Sequence, residues 1–192
     1  MHEIIWHGRG GQGAVLAAQI LGEAAYCAGF RGITSAPTFG PERRGAPVTA
    51  STRISDEPIR TFSQIECADI AVVLDATLMG MVDVLGRLKA GGLIIINTPL
   101  SAGAHGINGH YTFAHVDAST IALENRLTIA GAPVVNTPML GAVAKATGLV
   151  SLAQLEKGLR KKMPQERASA NFAAVAAAYD KTVVVNAKEG NE

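Results

Sequence analysis

The feature that most constrains this chain is its opening, Glu-Ile-Ile-Trp-His-Gly-Arg-Gly-Gly-Gln-Gly-Ala-Val-Leu at residues 3–16. Residues 3–7 read as a short strand. Ala14–Ala28 has only Gln19 and Glu23 as charged or strongly polar residues and is longer than a strand, so it reads as a buried helix that stops at Gly29. Between the two, Gly8, Gly10 and Gly13 stand in the register GxGxxG. In a strand–turn–helix context such glycines admit positive φ and let backbone N–H groups approach a ligand, while the helix N-terminus favours an anion there. Two readings stay open from these residues alone. The loop either contacts a phosphate or only permits tight strand–helix packing.

A dinucleotide site of the NAD type wants an acidic residue about 20 residues beyond the glycines, at the end of the second strand. Residues 28–41 hold no Asp or Glu, and their charged residue is Arg31. On that rule a phosphate-bearing adenosine, as in NADP or coenzyme A, suits the chain better than a plain ribose diol.

Residues 34–48 carry three prolines and two glycines and read as a structured loop. Within it Arg43 and Arg44 sit on a stiff turn, where guanidinium groups bind phosphate or carboxylate in bidentate fashion, and Glu42 can fix one of them. An ion pair within or between subunits is the alternative use. Residues 49–60 alternate weakly and can pair as strands, with Asp56-Glu57-Pro58 at a turn. Ile70–Asp75 is a continuous apolar run ending in an acid, as in a buried parallel strand. Asp75 then either faces a ligand or caps the next helix.

The spacing of Leu78, Met81, Val82 and Leu85 predicts a helix over Ala76–Lys89, with strands at Leu93–Ile96 and Tyr111–Val116. Further helices are expected at Ser119–Leu127, from Asn136-Thr137-Pro138 to Thr147 with Asn or Thr as cap, at Ser151–Lys162 and at Pro164–Tyr179. The fold class is therefore α/β: a single Rossmann-like domain over residues 1–185, with a mostly parallel sheet, helices on both faces and a C-terminal helical segment. Residues 186–192 are expected to fray.

Hydrophobic residues make up 48% of the chain and charged residues 17%. That charge share, below the usual ~25%, points to surface covered by partner subunits. A net charge of +1 without a basic run argues against nucleic acid. Cys27 and Cys67 match no zinc, cluster or disulfide spacing, and Cys27 is expected to be a small core residue. His7 reads as a hydrogen-bonded strand-end residue. His105, His110 and His115 recur at a spacing that does not place them on one face, so no metal site is assigned. With no signal peptide and no membrane-length apolar run, a cytoplasmic protein is expected. No catalytic residue is assigned.

The chain resembles the gamma subunits of the 2-oxoacid:ferredoxin oxidoreductases of the pyruvate synthase type. The match runs through WHGRGGQGAVLAAQIL at 6–21, FGPERRGAPV at 39–48, RISDEPI at 53–59, the strand ending at Asp75 and NTPMLGAV at 136–143. The resemblance implies a complex that converts a 2-oxoacid and coenzyme A to acyl-CoA, carbon dioxide and reduced ferredoxin. It places thiamine diphosphate and iron–sulfur clusters in alpha, beta and delta-type partners, and ferredoxin is reached through the complex. The gamma chain then binds no cofactor alone and has no turnover alone, but contributes scaffold and part of a coenzyme A site. Carried over residue by residue, that site falls on Gly8, Gly10, Gly11, Gln12 and Gly13, with Arg43 and Arg44. The wording GPERRGAP is closer to pyruvate and branched-chain oxoacid members than to 2-oxoglutarate members. The competing expectations are a stand-alone NADP-dependent reductase and a nucleotide-binding regulator.

Overall fold

A computed structural model describes residues 1–37, 44–61, 63–107 and 110–186. Its elements are β1 (His2–Arg9), α1 (Ala14–Ala28), β2 (Gly32–Pro37), β3 (Pro47–Ser55), β4 (Ala68–Val73), β5 (Leu88–Asn97), β6 (Thr112–Val116), α2 (Ala118–Glu124), β7 (Thr128–Ile129), β8 (Ala132–Pro133), α3 (Asn136–Thr147), α4 (Leu152–Lys162), α5 (Gln165–Lys181) and β9 (Val183–Val185). Seven strands form one sheet in the order β2-β3-β1-β4-β5-β6-β9, and β7 and β8 form a separate hairpin.

β1, β4, β5 and β6 are parallel neighbours. β3 runs antiparallel to β1 and β2 antiparallel to β3, so β2 points the same way as the parallel core. The sheet is mostly parallel, with β3 and β9 reversed. After β1 the chain leaves to β2 and β3 on one side, and β4 returns on the other. The carboxyl ends of β1 and β4 thus form a switch point, where open α/β sheets receive ligands.

Alternation along the strands feeds two cores. Ile4, Trp6, Ile70, Val72, Ile95 and Ala114 face the apolar sides of α1, α2, α3, α4 and α5. Ala71, Val73, Ile94, Ile96 and Phe113 face the other way, onto Leu78, Val84 and Ile107. Helical segments therefore cover both faces unequally, with α-helices on one and 3₁₀ turns on the other. Trp6 is fully buried and its indole N–H donates to Thr52 Oγ1 at 3.1 Å, so the largest core side chain leaves no polar atom unpaired. At Gly141 any Cβ would overlap the Val175 carbonyl, and α3 and α5 approach closely only because none is there.

Several expectations change. Residues 76–89 are not one helix but two 3₁₀ turns, Ala76–Gly80 and Leu85–Arg87. Asp83 Oδ1 accepts the Gly86 N–H at 2.8 Å, a cap-like bond that starts a new turn in the middle of the segment, and the apolar spacing is met by short turns packing on the sheet. Residues 34–37, expected in loop, continue the edge strand β2, where proline is tolerated at the end. β9 has no counterpart among the expected strands, and β5 begins earlier, at Leu88. Cys27 is only partly buried. The expected tail lies, from residue 187, outside the described residues.

Candidate functional site: the glycine loop and its clamp

α1 begins at Ala14 with Gly13 as N-cap in the left-handed region (φ 79°), no side-chain cap and no acid in its first turn. A Cβ at Gly13 would collide with the Asn136 amide, whose Nδ2 donates to the Gly13 carbonyl at 3.2 Å. Gly11, with φ 95°, is exposed and has open space where a Cβ would stand. The N–H groups of Gly11, Gly13, Ala14, Val15 and Leu16 donate to no described residue. They form a cluster of donors at the carboxyl end of β1, with the positive end of the α1 dipole behind them.

The rest of the loop is internally engaged. Gly8 stands in the β1–β3 ladder, with Leu74 Cδ1 3.2 Å from where its Cβ would lie. The Gly10 N–H donates to Ala46 O at 2.8 Å and its carbonyl accepts from Gly45 N at 3.1 Å. Gln12 N donates to Arg9 O at 2.9 Å, while its side-chain oxygen accepts from Arg9 N at 2.8 Å. Gly8, Gly10 and Gln12 therefore shape the loop, and the open donors belong to Gly11, Gly13 and the first turn of α1. The structure brings Arg44, an exposed residue, beside Gly10 through a backbone bridge, so two distant sequence motifs meet. Arg43 lies outside the described residues.

Arg9 and Asp75, neither assigned from the sequence as site residues, hold this arrangement. Arg9 Nε donates to Asp75 Oδ2 at 2.8 Å, Nη1 to Gly45 O at 3.1 Å, and Nη2 to Thr77 Oγ1 at 2.7 Å. Gln12 Nε2 reaches the same Asp75 oxygen at 3.4 Å. Asp75 Oδ1 meanwhile accepts Thr77 N at 3.0 Å, so Asp75 caps the following turn and anchors Arg9 at once. Burial pushes the Asp75 carboxyl up, but hydrogen bonds from Thr77 and Arg9 outweigh it and hold it below the ordinary carboxylate range.

Three further expectations are corrected. Asn136 is the first residue of α3 rather than its N-cap: its Oδ1 accepts the adjacent Thr137 N–H at 3.0 Å, while its Nδ2 serves the glycine loop, 123 residues away. Arg31 precedes the edge strand β2, and β3 separates β2 from β1, so the acidic-residue rule for dinucleotides has no neighbouring second strand to act on. Arg31 therefore lends no support to NADP. The His7 ring is not hydrogen-bonded as expected: 2% exposed, it has no partner at either nitrogen among the described residues. Burial, helped by the charge of Arg87, lowers its pKa to about 4.

His105 and His115 do converge, on Thr98. His105 Nε2 lies 3.1 Å from the hydroxyl and His115 Nδ1 3.3 Å from the carbonyl. Among the described residues no group of three or more His, Cys, Asp and Glu is placed to hold a metal ion, and no helix is long and apolar enough to cross a membrane.

Fold and site together define a Rossmann-like α/β domain that presents a glycine loop with unengaged backbone N–H groups at the switch point of its sheet. The pyruvate ferredoxin/flavodoxin oxidoreductase family matches residues 3–181. The chain is 48% identical over 187 residues to the pyruvate/ketoisovalerate oxidoreductases common subunit gamma of Thermococcus litoralis, covering 96% of this chain and 98% of that one. It is 46% identical over 181 residues to pyruvate synthase subunit PorC of Methanothermobacter marburgensis, covering 94% and 97%. The crystal structure of pyruvate oxidoreductase subunit PORC from Thermotoga maritima superposes with a TM-score of 0.79 at 36% identity, over 96% of this chain and 98% of that one. The chain belongs to the pyruvate ferredoxin/flavodoxin oxidoreductase family. Within it, this is a gamma-type subunit of a 2-oxoacid oxidoreductase.

Proposed function

We propose that this subunit supplies part of the coenzyme A site of a multi-subunit enzyme that converts pyruvate or a branched-chain 2-oxoacid and coenzyme A to acyl-CoA, carbon dioxide and reduced ferredoxin. The observation that carries this is the row of free N–H groups at Gly11, Gly13 and Ala14–Leu16, with no acid in the first helical turn. Such a row suits a phosphate of the coenzyme, and Arg44 beside Gly10 adds a cation within the same loop pair. Gly8, Gly10 and Gln12 act by holding that row in place, and Arg43 is proposed beside Arg44 from the sequence alone.

The relative from Thermococcus litoralis is named as common to a pyruvate and a ketoisovalerate enzyme. A subunit shared by two oxoacid enzymes serves what their reactions have in common, and coenzyme A is such a reactant. Choice of oxoacid, thiamine diphosphate and the iron–sulfur clusters then belong to alpha, beta and delta-type partners in a cytoplasmic complex, and this chain is a non-catalytic subunit. Residues 1–185 form its one domain.

The test is a pair of variants in the assembled enzyme. Gly11→Asn and Gly11→Asp both accept the left-handed backbone better than other residues, and a side chain there meets nothing. Gly11→Asp should raise KM for coenzyme A at least tenfold over Gly11→Asn, with KM for the oxoacid unchanged. Equal KM values for coenzyme A in the two variants would remove the anion reading.

A further inference from the structure

Across the sheet from α1, the other face of β2, β3 and β1 borders a cavity of about 110 Å³. It shares no residue with the glycine loop. The space is large enough for one small ion with its water. Its lining residues include Arg53 and Arg87 and the hydroxyl-bearing Thr34, Thr61 and Ser63, with no Asp or Glu. None of those three hydroxyls is engaged by another described residue.

The two arginines differ in how their charge is met. Arg53 is buried against Glu3, Nε to Oε1 at 3.0 Å, and Glu3 also takes Lys89 at 3.3 Å. Arg87 is partly buried, and its Nη2 donates to a neutral acceptor, Ile65 O, at 2.7 Å. No carboxylate lies within ion-pair distance of Arg87 among the described residues. A cation withdrawn from water without a counter-charge, beside a polar cavity, attracts an anion.

A second observation marks the same place. Ile5 and Thr49 line the cavity; His7 follows Ile5 by one strand period and pairs across the ladder with Thr49, so its ring lies on this face. Its buried ring has no hydrogen-bond partner among the described residues, and it feels the charge of Arg87. The other charged groups on this face of β1 and β3 are Glu3, Arg9 and Arg53, each already paired.

We propose that this cavity is an oxyanion site that takes one carboxylate or phosphate group on Arg87, with the hydroxyls of Thr34, Thr61 and Ser63 as further donors. The source is either a free small molecule or an acidic side chain presented by a neighbouring subunit. His7 then reports occupancy, because an anion on Arg87 cancels the charge that disfavours its protonation.

The experiment uses the full chain with isotopically labelled histidine, titrated with inorganic phosphate and, separately, acetate while the His7 ring is followed by nuclear magnetic resonance. The expected result is a saturable shift of His7 and a rise in its titration midpoint from about 4. Arg87→Gln should weaken the binding at least tenfold and Arg87→Lys should restore part of it. The double variant Thr34→Val/Ser63→Ala, which leaves every charge in place, should weaken it several-fold. A His7 signal that does not saturate, or equal affinity in Arg87→Gln, would overturn the site. Repeating the titration in the assembled enzyme separates the sources. Continued phosphate response means a small molecule; a closed site, with Arg87→Gln releasing the subunit at lower salt, means a partner carboxylate. A closed site with no effect of Arg87→Gln on assembly would count against both.

Discussion

Arg9 and Asp75, 66 residues apart in the chain, meet at 2.8 Å over the mouth between β1 and β4, and the glycine loop is held through that contact. Asp75 also receives Gln12 and Thr77, so one carboxylate sets both sides of the switch point. Asp75→Asn keeps the shape and removes the charge. It should cost about 1.5–3 kcal/mol by chemical denaturation, the range for a hydrogen bond to a charged group. Arg9→Lys should recover less than half of the loss seen for Arg9→Ala, because an ammonium cannot reach Asp75, Thr77 and Gly45 from one plane.

Gly13 and Asn136 form the second joint. Gly13→Ala places a methyl group against the Asn136 amide and forces a side chain onto φ 79°, an expected loss of roughly 2–4 kcal/mol. Asn136→Ala clears the collision. The double variant should therefore be more stable than the sum of the single losses by at least about 1 kcal/mol, measured by equilibrium unfolding of all four proteins.

His7 gives the fold a pH dependence whose sign is fixed. Its folded pKa, about 4, lies below the value of 6.5 expected when unfolded, so between these the unfolded chain binds more protons. Stability is then complete above pH 6.5 and falls as the pH drops towards 4, by about 3 kcal/mol from this group. His7→Leu should flatten that part of the profile and raise stability at neutral pH by about 1–2 kcal/mol, since it removes two unpaired polar atoms. Denaturant midpoints measured from pH 4 to 8 check both.

Gly141 fixes the separation of α3 and α5. Alanine is the better helix former by about 1 kcal/mol, yet its Cβ would overlap the Val175 carbonyl, and overpacking costs about 1–3 kcal/mol. Gly141→Ala should lower the melting temperature, and Gly141→Val should lower it further.

The parts of this molecule that can be read from the sequence are those whose cause is local. β1, the glycine turn and α1 come from an apolar run, a glycine cluster and a long Ala/Leu-rich stretch, and the helix ends where Gly29 takes φ 101°. The capping box at Ser151 is visible because Gln154 stands three residues on. Local pattern misleads where tertiary packing opposes it. Apolar spacing at 76–89 looks helical, but Asp83 and Gly86 form a turn and the sheet face accepts short segments. β9 is a short valine run whose only reason to be a strand is β6, about 70 residues earlier. The glycine turn and the capping role of Asp75 are legible in the sequence; the clamp that Asp75 forms with Arg9 is not. The pairings of Arg9 with Asp75 and of Asn136 with Gly13 span 66 and 123 residues, and nothing in the immediate neighbours of these residues announces the partner.

The most direct measurement is amide hydrogen–deuterium exchange on the assembled enzyme with and without coenzyme A. The free N–H groups of Gly11, Gly13 and Ala14–Leu16 have no acceptor among the described residues and should exchange fast in the unliganded enzyme. Saturating coenzyme A should slow exchange across residues 11–16 at least tenfold, and Gly11→Asp should abolish the effect. Unchanged exchange in this segment, with protection confined to other subunits, would contradict the assignment of coenzyme A phosphate to this loop.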